Sequence, residues 1–123
     1  MDINELSYIV IGIALKVHSE LGPGLLESSY KELLVHKLRS EGLNVEKEKR
    51  IQMKSEGILV KCAYRMDLLI EGKLVIEIKS VNALHPVHVA QLLTYLRIGG
   101  YPLGLLFNFN VLHLRNGIKR VIL

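Results

Sequence analysis

The sequence predicts an α/β fold: a mixed central β-sheet flanked by α-helices, in the order α-α-β-β-β-α-β-β. Three observations lead there. Two amphipathic helical segments open the chain. Three segments of strand-like alternation follow, separated by glycine turns. The stretch 73–109 then reads strand–helix–strand, long enough for a right-handed crossover between parallel strands.

Taken in order, residues 4–21 form the first helix. Leu6, Ile9, Ile13, Val17 and Leu21 recur at three- and four-residue spacing and make one apolar stripe. Gly22-Pro23-Gly24 breaks it. A second helix runs from Leu25 to Ser40, with Tyr30, Leu33, Leu34 and Leu38 on its buried face and Gly42 as its stop. Residues 44–53 and 58–70 are strands around a Ser55-Glu56-Gly57 turn. In the second of them Ile58, Val60, Cys62, Tyr64, Met66 and Leu68 alternate at period two. Glu71-Gly72 turns the chain into a third strand, Lys73–Ser80. Pro86 suits the first turn of a third helix over 86–98, which Gly99-Gly100 ends. Two strands close the chain, 102–109 and 117–123. The run Leu103-Gly104-Leu105-Leu106-Phe107 has the character of a strand buried on both faces.

Composition sets the bounds. With 123 residues, one domain spanning 1–123 is expected. Half the residues are hydrophobic and 23% are charged, which excludes a disordered chain. A domain of this size buries roughly two-thirds of its unfolded surface. The single cysteine, Cys62, excludes an intramolecular disulfide framework and a cysteine zinc cluster, and it fits a reducing, cytoplasmic compartment. Its apolar neighbours make it a small buried hydrophobe. The apolar run Tyr8–Leu15 is far short of the ~20 residues of a membrane span, and Asp2 and Glu5 precede it where a signal peptide carries positive charge, so neither a membrane nor a targeting segment is expected. A net charge of +4 is compatible with a phosphate backbone as partner without requiring one.

The candidate chemistry sits in the middle strands. Asp67 interrupts Tyr64-Arg65-Met66-Asp67-Leu68-Leu69-Ile70, where a carboxylate is costly unless paired or bound to a cation. In Val75-Ile76-Glu77-Ile78-Lys79, alternation puts Glu77 and Lys79 on one face and the two isoleucines on the other. Pairing through the Glu71-Gly72 turn would bring Asp67 near Glu77. Two neighbouring carboxylates repel unless a cation lies between them, and a hard divalent ion with oxygen ligands serves well. Lys79 is placed to orient or deprotonate an attacking water or to stabilise developing negative charge. The plainer alternative is a surface Glu–Lys pair with Asp67 turned outward.

Two further groups stand out. His88, Gln91 and Tyr95 share a helix face at i, i+3 and i+7, and Gln and Tyr offer hydrogen bonds to a phosphate or base. Glu27 lies in the first turn of the second helix, favoured by the helix dipole or serving as a further carboxylate for the metal, and Tyr30 follows on the same side, either half-buried core or functional. His18, His36, His85 and His113 are expected to be structural.

Gly24-x-x-Glu27-x-x-Tyr30 resembles the motif that names the GxxExxY family, within the PD-(D/E)xK nuclease superfamily. The resemblance extends over nearly the whole chain: His18, Tyr64–Asp67, Glu77-Ile78-Lys79, His88–Gln91, Gly104–Phe109 and Gly117–Arg120. It implies a restriction-endonuclease-like core, Asp67 and Glu77 as metal ligands, Lys79 as the catalytic lysine, and Mg2+ or Mn2+ as cofactor. Glu27 matches the helical carboxylate of RecB-like nucleases. Gln91-Leu92-Leu93-Thr94-Tyr95 resembles the Q-x-x-x-Y element of that branch, which implies that Gln91 and Tyr95 position substrate, with Tyr30 beside them. Met66 stands where the superfamily name has proline, and the ligand positions remain intact.

The expected activity is metal-dependent hydrolysis of DNA phosphodiester bonds, with DNA ahead of RNA as partner. Two alternatives stay open. One is a non-cleaving module that binds nucleic acid or protein, for which a protein partner would supply targeting. The other is a dimeric, junction-resolving endonuclease, because a mean hydropathy of +0.28 in so short a chain points to a buried subunit interface, as in a homodimer.

Overall fold

The computed structural model describes the backbone of residues 1–123 and every side chain except those of residues 62 and 63. The expectation for Cys62 therefore lies outside the described residues. Among the described residues, no helix is long and apolar enough to cross a membrane.

Helix α1 spans Ile3–Leu21. Asp2 caps it, its carboxylate accepting the amides of Asn4 at 2.7 Å and Glu5 at 3.1 Å. Its buried stripe is Leu6, Val10, Ile13, Ala14 and Val17. Ile9 and Leu21, expected on that stripe, are 36% and 37% exposed. The helix is apolar on several sides, so spacing alone leaves two candidate stripes, and packing selected the one that runs through Val10 and Ala14. Helix α2 spans Glu27–Ser40 and begins two residues later than expected, because the Gly22-Pro23-Gly24 bend extends through Leu25 to the cap position, Leu26. Tyr30, Leu34, Val35 and Leu38 are its buried residues.

The sheet has five strands in the order β1-β2-β3-β4-β5: β1 Val45–Ser55, β2 Ile58–Ile70, β3 Leu74–Lys79, β4 Leu103–Asn108 and β5 Ile118–Ile122. All neighbours are antiparallel except β3 and β4. That parallel pair is joined by the third helix, α3, Pro86–Gly99, which is the crossover expected from the sequence. Glu56 and Gly57 both have positive φ, 52° and 78°, and make the two-residue turn that right-twisted strands favour.

Three layers result. One core joins α1 and α2 to the sheet face carrying Leu68, Ile76, Ile78, Leu105 and Phe107. The second joins α3 to the face carrying Met66, Leu69, Val75 and Leu106. Strand β4 is buried along its whole length, as its unbroken apolar run requires. At Gly104 an added Cβ would lie 2.7 Å from Leu92, so the glycine sets how closely α3 approaches the sheet. Each fully buried Leu, Ile or Phe here contributes roughly 1.5–3 kcal/mol. The two sandwiched faces therefore hold β2 and β3 firmly along their paired stretch, Leu68–Ile70 against Leu74–Ile76.

Candidate active site

The β2–β3 ladder runs regularly through Ile70↔Leu74, Leu69↔Val75 and Leu68↔Ile76, then stops. The next rung would join Asp67 to Glu77, and there side chains replace the backbone pairing. The Asp67 amide donates to Glu77 Oε2 at 2.7 Å. The Ile78 amide donates to Asp67 Oδ2 at 2.8 Å. Each carboxylate is thus held by the other's strand. On the opposite edge β1 is distorted at the same level: Lys47 pairs with Leu68 and Lys49 with Met66, while Glu48 between them adopts φ 54°. That left-handed conformation costs about 1–2 kcal/mol for an ordinary residue. The simple alternation expected along β2 also breaks here. Met66 packs on the α3 side and Leu68 on the side of α1 and α2.

The electrostatics follow from burial. Glu77 is only 5% exposed. Desolvation, then the neighbouring Asp67 charge, push its carboxyl from 4.5 up to about 8, while the Asp67 amide, Lys79 and Lys31 pull it back. At neutral pH the protonated form is therefore favoured. Lys79, on the face of Glu77, forms no ion pair among the described residues. Nothing among the described residues hydrogen-bonds Glu77 Oε1.

Lys31 went unnoticed in the sequence and is central to the site. From α2 its ammonium reaches Asp67 Oδ1 at 3.1 Å and Glu48 at 3.5 Å. Burial alone would lower its pKa. The hydrogen bond and charge of Asp67, with Glu48 behind, outweigh that and raise it. The one sequence signal was its position one turn after Glu27, on the same helix side. Its partner lies 36 residues away, beyond any local pattern.

The other expected residues divide. Glu27 stands apart from the carboxylate pair. Its Oε1 accepts the Ser80 amide at 3.4 Å, and with Leu25, Lys31 and Ser80 it lines a groove of about 500 Å³. Among the described residues no three His, Cys, Asp or Glu side chains are gathered as a metal cluster, so the expected trio Glu27, Asp67 and Glu77 is a joined pair plus one neighbour across Lys31. Tyr95, 7% exposed, stacks on Tyr64 with centroids 4.3 Å apart. Burial, then the charges of Glu77 and Asp67, raise its pKa, and a hydrogen bond with Gln91 opposes the rise. Tyr95 is therefore close enough to Glu77 and Asp67 for their charges to act on it. Partial burial of Tyr64, then the charges of Tyr101 and Tyr95, push its hydroxyl up to about 12.

Tyr30, expected to position substrate, is fully buried. Its hydroxyl donates to the Gly22 carbonyl at 2.5 Å and accepts the Leu25 amide at 3.1 Å, and its ring stacks on Phe109 at 4.5 Å. Its bonds are spent on the bend that places Glu27. His88 serves its own helix: its Nδ1 accepts the His85 amide at 3.0 Å in a capping box that starts α3. His18 is structural as expected, with Nε2 donating to the Val111 carbonyl at 2.8 Å and sharing that of Phe109 at 3.1 Å. Asn108 was missed. Buried at the end of β4, its amide bonds both backbone groups of Val81 and fixes the chain leaving Lys79. A polar residue closing an apolar run was the available signal, since burial requires such a group to be bonded.

The residues fit a hard divalent cation. Each carboxyl has one oxygen fixed by a backbone amide, burial and the Asp67 charge favour a proton on Glu77, and an ammonium already neutralises Asp67. The family model of the PD-(D/E)XK nuclease superfamily matches residues 4–121. No curated protein and no solved structure matches the chain. With a match over almost its whole length, on the fold and carboxylate pair just described, the chain belongs to the PD-(D/E)XK nuclease superfamily.

Proposed function

We propose that this protein hydrolyses DNA phosphodiester bonds with Mg2+ or Mn2+, using Asp67, Glu77 and Lys79. The observation that carries the reading is the interlocked pair of a half-buried Asp67 and a buried Glu77 with Lys79 beside it. The motifs around Glu27 and Gln91, which resemble the GxxExxY family and the RecB-like branch, add support.

Asp67 and Glu77 would hold the cation, and Glu27 would act from the neighbouring groove. When bound, the cation polarises the phosphate and lowers the pKa of a water. To hold a cation, Glu77 would release its proton to water and the Lys31 ammonium would leave Asp67 Oδ1. Lys79 orients the attacking water or stabilises charge that develops on the phosphate. Gln91 and Tyr95 hold the substrate backbone by hydrogen bonds. The packed stretch of β2 and β3 on either side keeps the backbone that carries Asp67 and Glu77 in place.

The test is cleavage of circular and linear DNA, single- and double-stranded, with Mg2+ or Mn2+ and an EDTA control. Glu77→Ala should lose at least ~100-fold, because even an outer partner of a metal site is worth 10- to 100-fold. Undiminished cleavage by Glu77→Ala would refute the assignment. DNA binding without cleavage under either metal would favour the non-cleaving module.

A further inference from the structure

We propose that the outer part of the β1–β2 ribbon is a nucleic-acid-binding arm in which Arg50 and Arg65 together clamp a backbone phosphate next to the bond held at Asp67; its ligand class rests on the nuclease reading above. Three observations carry it.

The first is charge. Residues 47–65 hold six Lys or Arg against two Glu, a net +4, which equals the net charge of the entire chain. The remainder is electrically balanced, so the basic character belongs to this ribbon. The second is topology. Strand β3 pairs with β2 only from Leu68 to Ile70, so the ribbon beyond has no third strand.

The third is the pair itself. Arg50 sits directly opposite Arg65 in the ladder, and both are exposed. Like charges opposite one another destabilise a sheet. Nearby acids do not relieve them: Glu46 is paired with Lys49, and Glu48 with Lys31. Two facing guanidinium groups without a carboxylate are a poor structural choice and a good phosphate site, because each offers a planar fork of donors. The side they face is set by their neighbours. Ile51, Tyr64 and Met66 pack toward α3. Arg50 and Arg65 therefore point the other way, to the side from which Lys31 reaches Asp67. Arg65 precedes Asp67 by two residues, roughly 7 Å along the strand. A phosphate gripped there belongs to the same strand as the bond at Asp67 and Glu77.

The test is fluorescence anisotropy with a labelled 20-bp duplex in EDTA, which prevents cleavage, over 50–200 mM salt. The proteins are wild type, Arg50→Gln/Arg65→Gln, and Arg97→Gln/Arg115→Gln, an equal charge change away from the ribbon. The ribbon variant should flatten the slope of log K against log salt by about 2, near 0.9 per released phosphate contact. It should bind roughly 60-fold more weakly at 0.1 M if the lines meet at 1 M. Its melting temperature should equal or exceed that of wild type, since a like-charge pair is removed. The control pair should leave the slope unchanged. Equal losses in both variants would mean that net charge alone acts and would overturn the clamp. Absence of binding by wild type would overturn the clamp and the nucleic-acid reading together. Ribbon-dependent binding by a wild type that fails to cut with metal would uphold the clamp and refute only the nuclease reading.

Discussion

In metal-free buffer the protein should lose stability as the pH rises from 5 to 8, and Glu77→Gln should remove most of that loss. The Glu77 carboxyl is raised from 4.5 to about 8. Below pH 4.5 it is protonated in both the folded and unfolded chain and adds no pH dependence. Between 4.5 and about 8 the unfolded chain releases this proton and the folded chain keeps it. Stability therefore falls by up to ~1.4 kcal/mol per pH unit and levels off above the folded value. The accumulated cost at pH 8 is on the order of 3–5 kcal/mol, a large share of the 5–15 kcal/mol that holds a typical domain together. Gln is nearly isosteric, its carbonyl oxygen still accepts the Asp67 amide, and it does not titrate in this range. Thermal melts of both proteins in EDTA at pH 5 and 8 measure the difference, and all other titrations cancel. The variant should match wild type near pH 5 and melt some 10–20 °C higher at pH 8, at about 4 °C per kcal/mol for a domain of this size. Saturating Mg2+ or Mn2+ should then stabilise wild type at pH 8, by ~2.7 kcal/mol at a hundred times Kd, and leave Glu77→Gln unmoved. Parallel melting curves for the two proteins from pH 5 to 8 would show that burial and Asp67 do not govern this carboxyl, and the reasoning would fail.

Two other substitutions separate role from position. Tyr30→Phe keeps the stack on Phe109 but leaves the Gly22 carbonyl and the Leu25 amide without their partner, so it should cost ~1–3 kcal/mol in denaturant titration. DNA cleavage at low temperature should be unchanged, and a fall in kcat/KM with the fold intact would restore Tyr30 as a substrate-positioning residue. Lys31→Met keeps the stem and removes the ammonium on Asp67, which should destabilise the metal-free protein by ~1.5–3 kcal/mol. Calorimetric titration should show Mn2+ binding about tenfold tighter, a gain of ~1.4 kcal/mol from lost competition, whereas weaker binding would mean that Lys31 does not compete for the site.

Much of the architecture was legible because it is written in local periods. Glycine turns at Gly57 and Gly72 separated the strands, and the buried run Leu103–Phe107 announced a central strand beside a parallel neighbour. The carboxylate pair was legible for a related reason. A charge in an apolar strand, and an alternating Glu77-x-Lys79 across a short turn, have few placements that satisfy both. The misreadings cluster where local pattern is degenerate. Helix α1 offers two apolar stripes, and only contact with the sheet selected Val10 and Ala14 over Ile9 and Leu21. Tyr30 suits core or site equally by sequence, and the closing bend at Gly22 decided for core.

What the sequence determined by itself was the set of elements, their order, and the residue types at Asp67, Glu77 and Lys79, since these depend on neighbours within a few positions. What the tertiary structure alone decided was how the two strands part there. The ladder stops at Leu68↔Ile76, Glu48 turns left-handed, Asp67 and Glu77 each bond the other's strand, and Lys31 arrives from a helix 36 residues away. Desolvation and Coulomb interactions act through space and not along the chain. The raised carboxyl of Glu77 and the ion pair of Lys31 with Asp67 therefore arise only when the layers close around them.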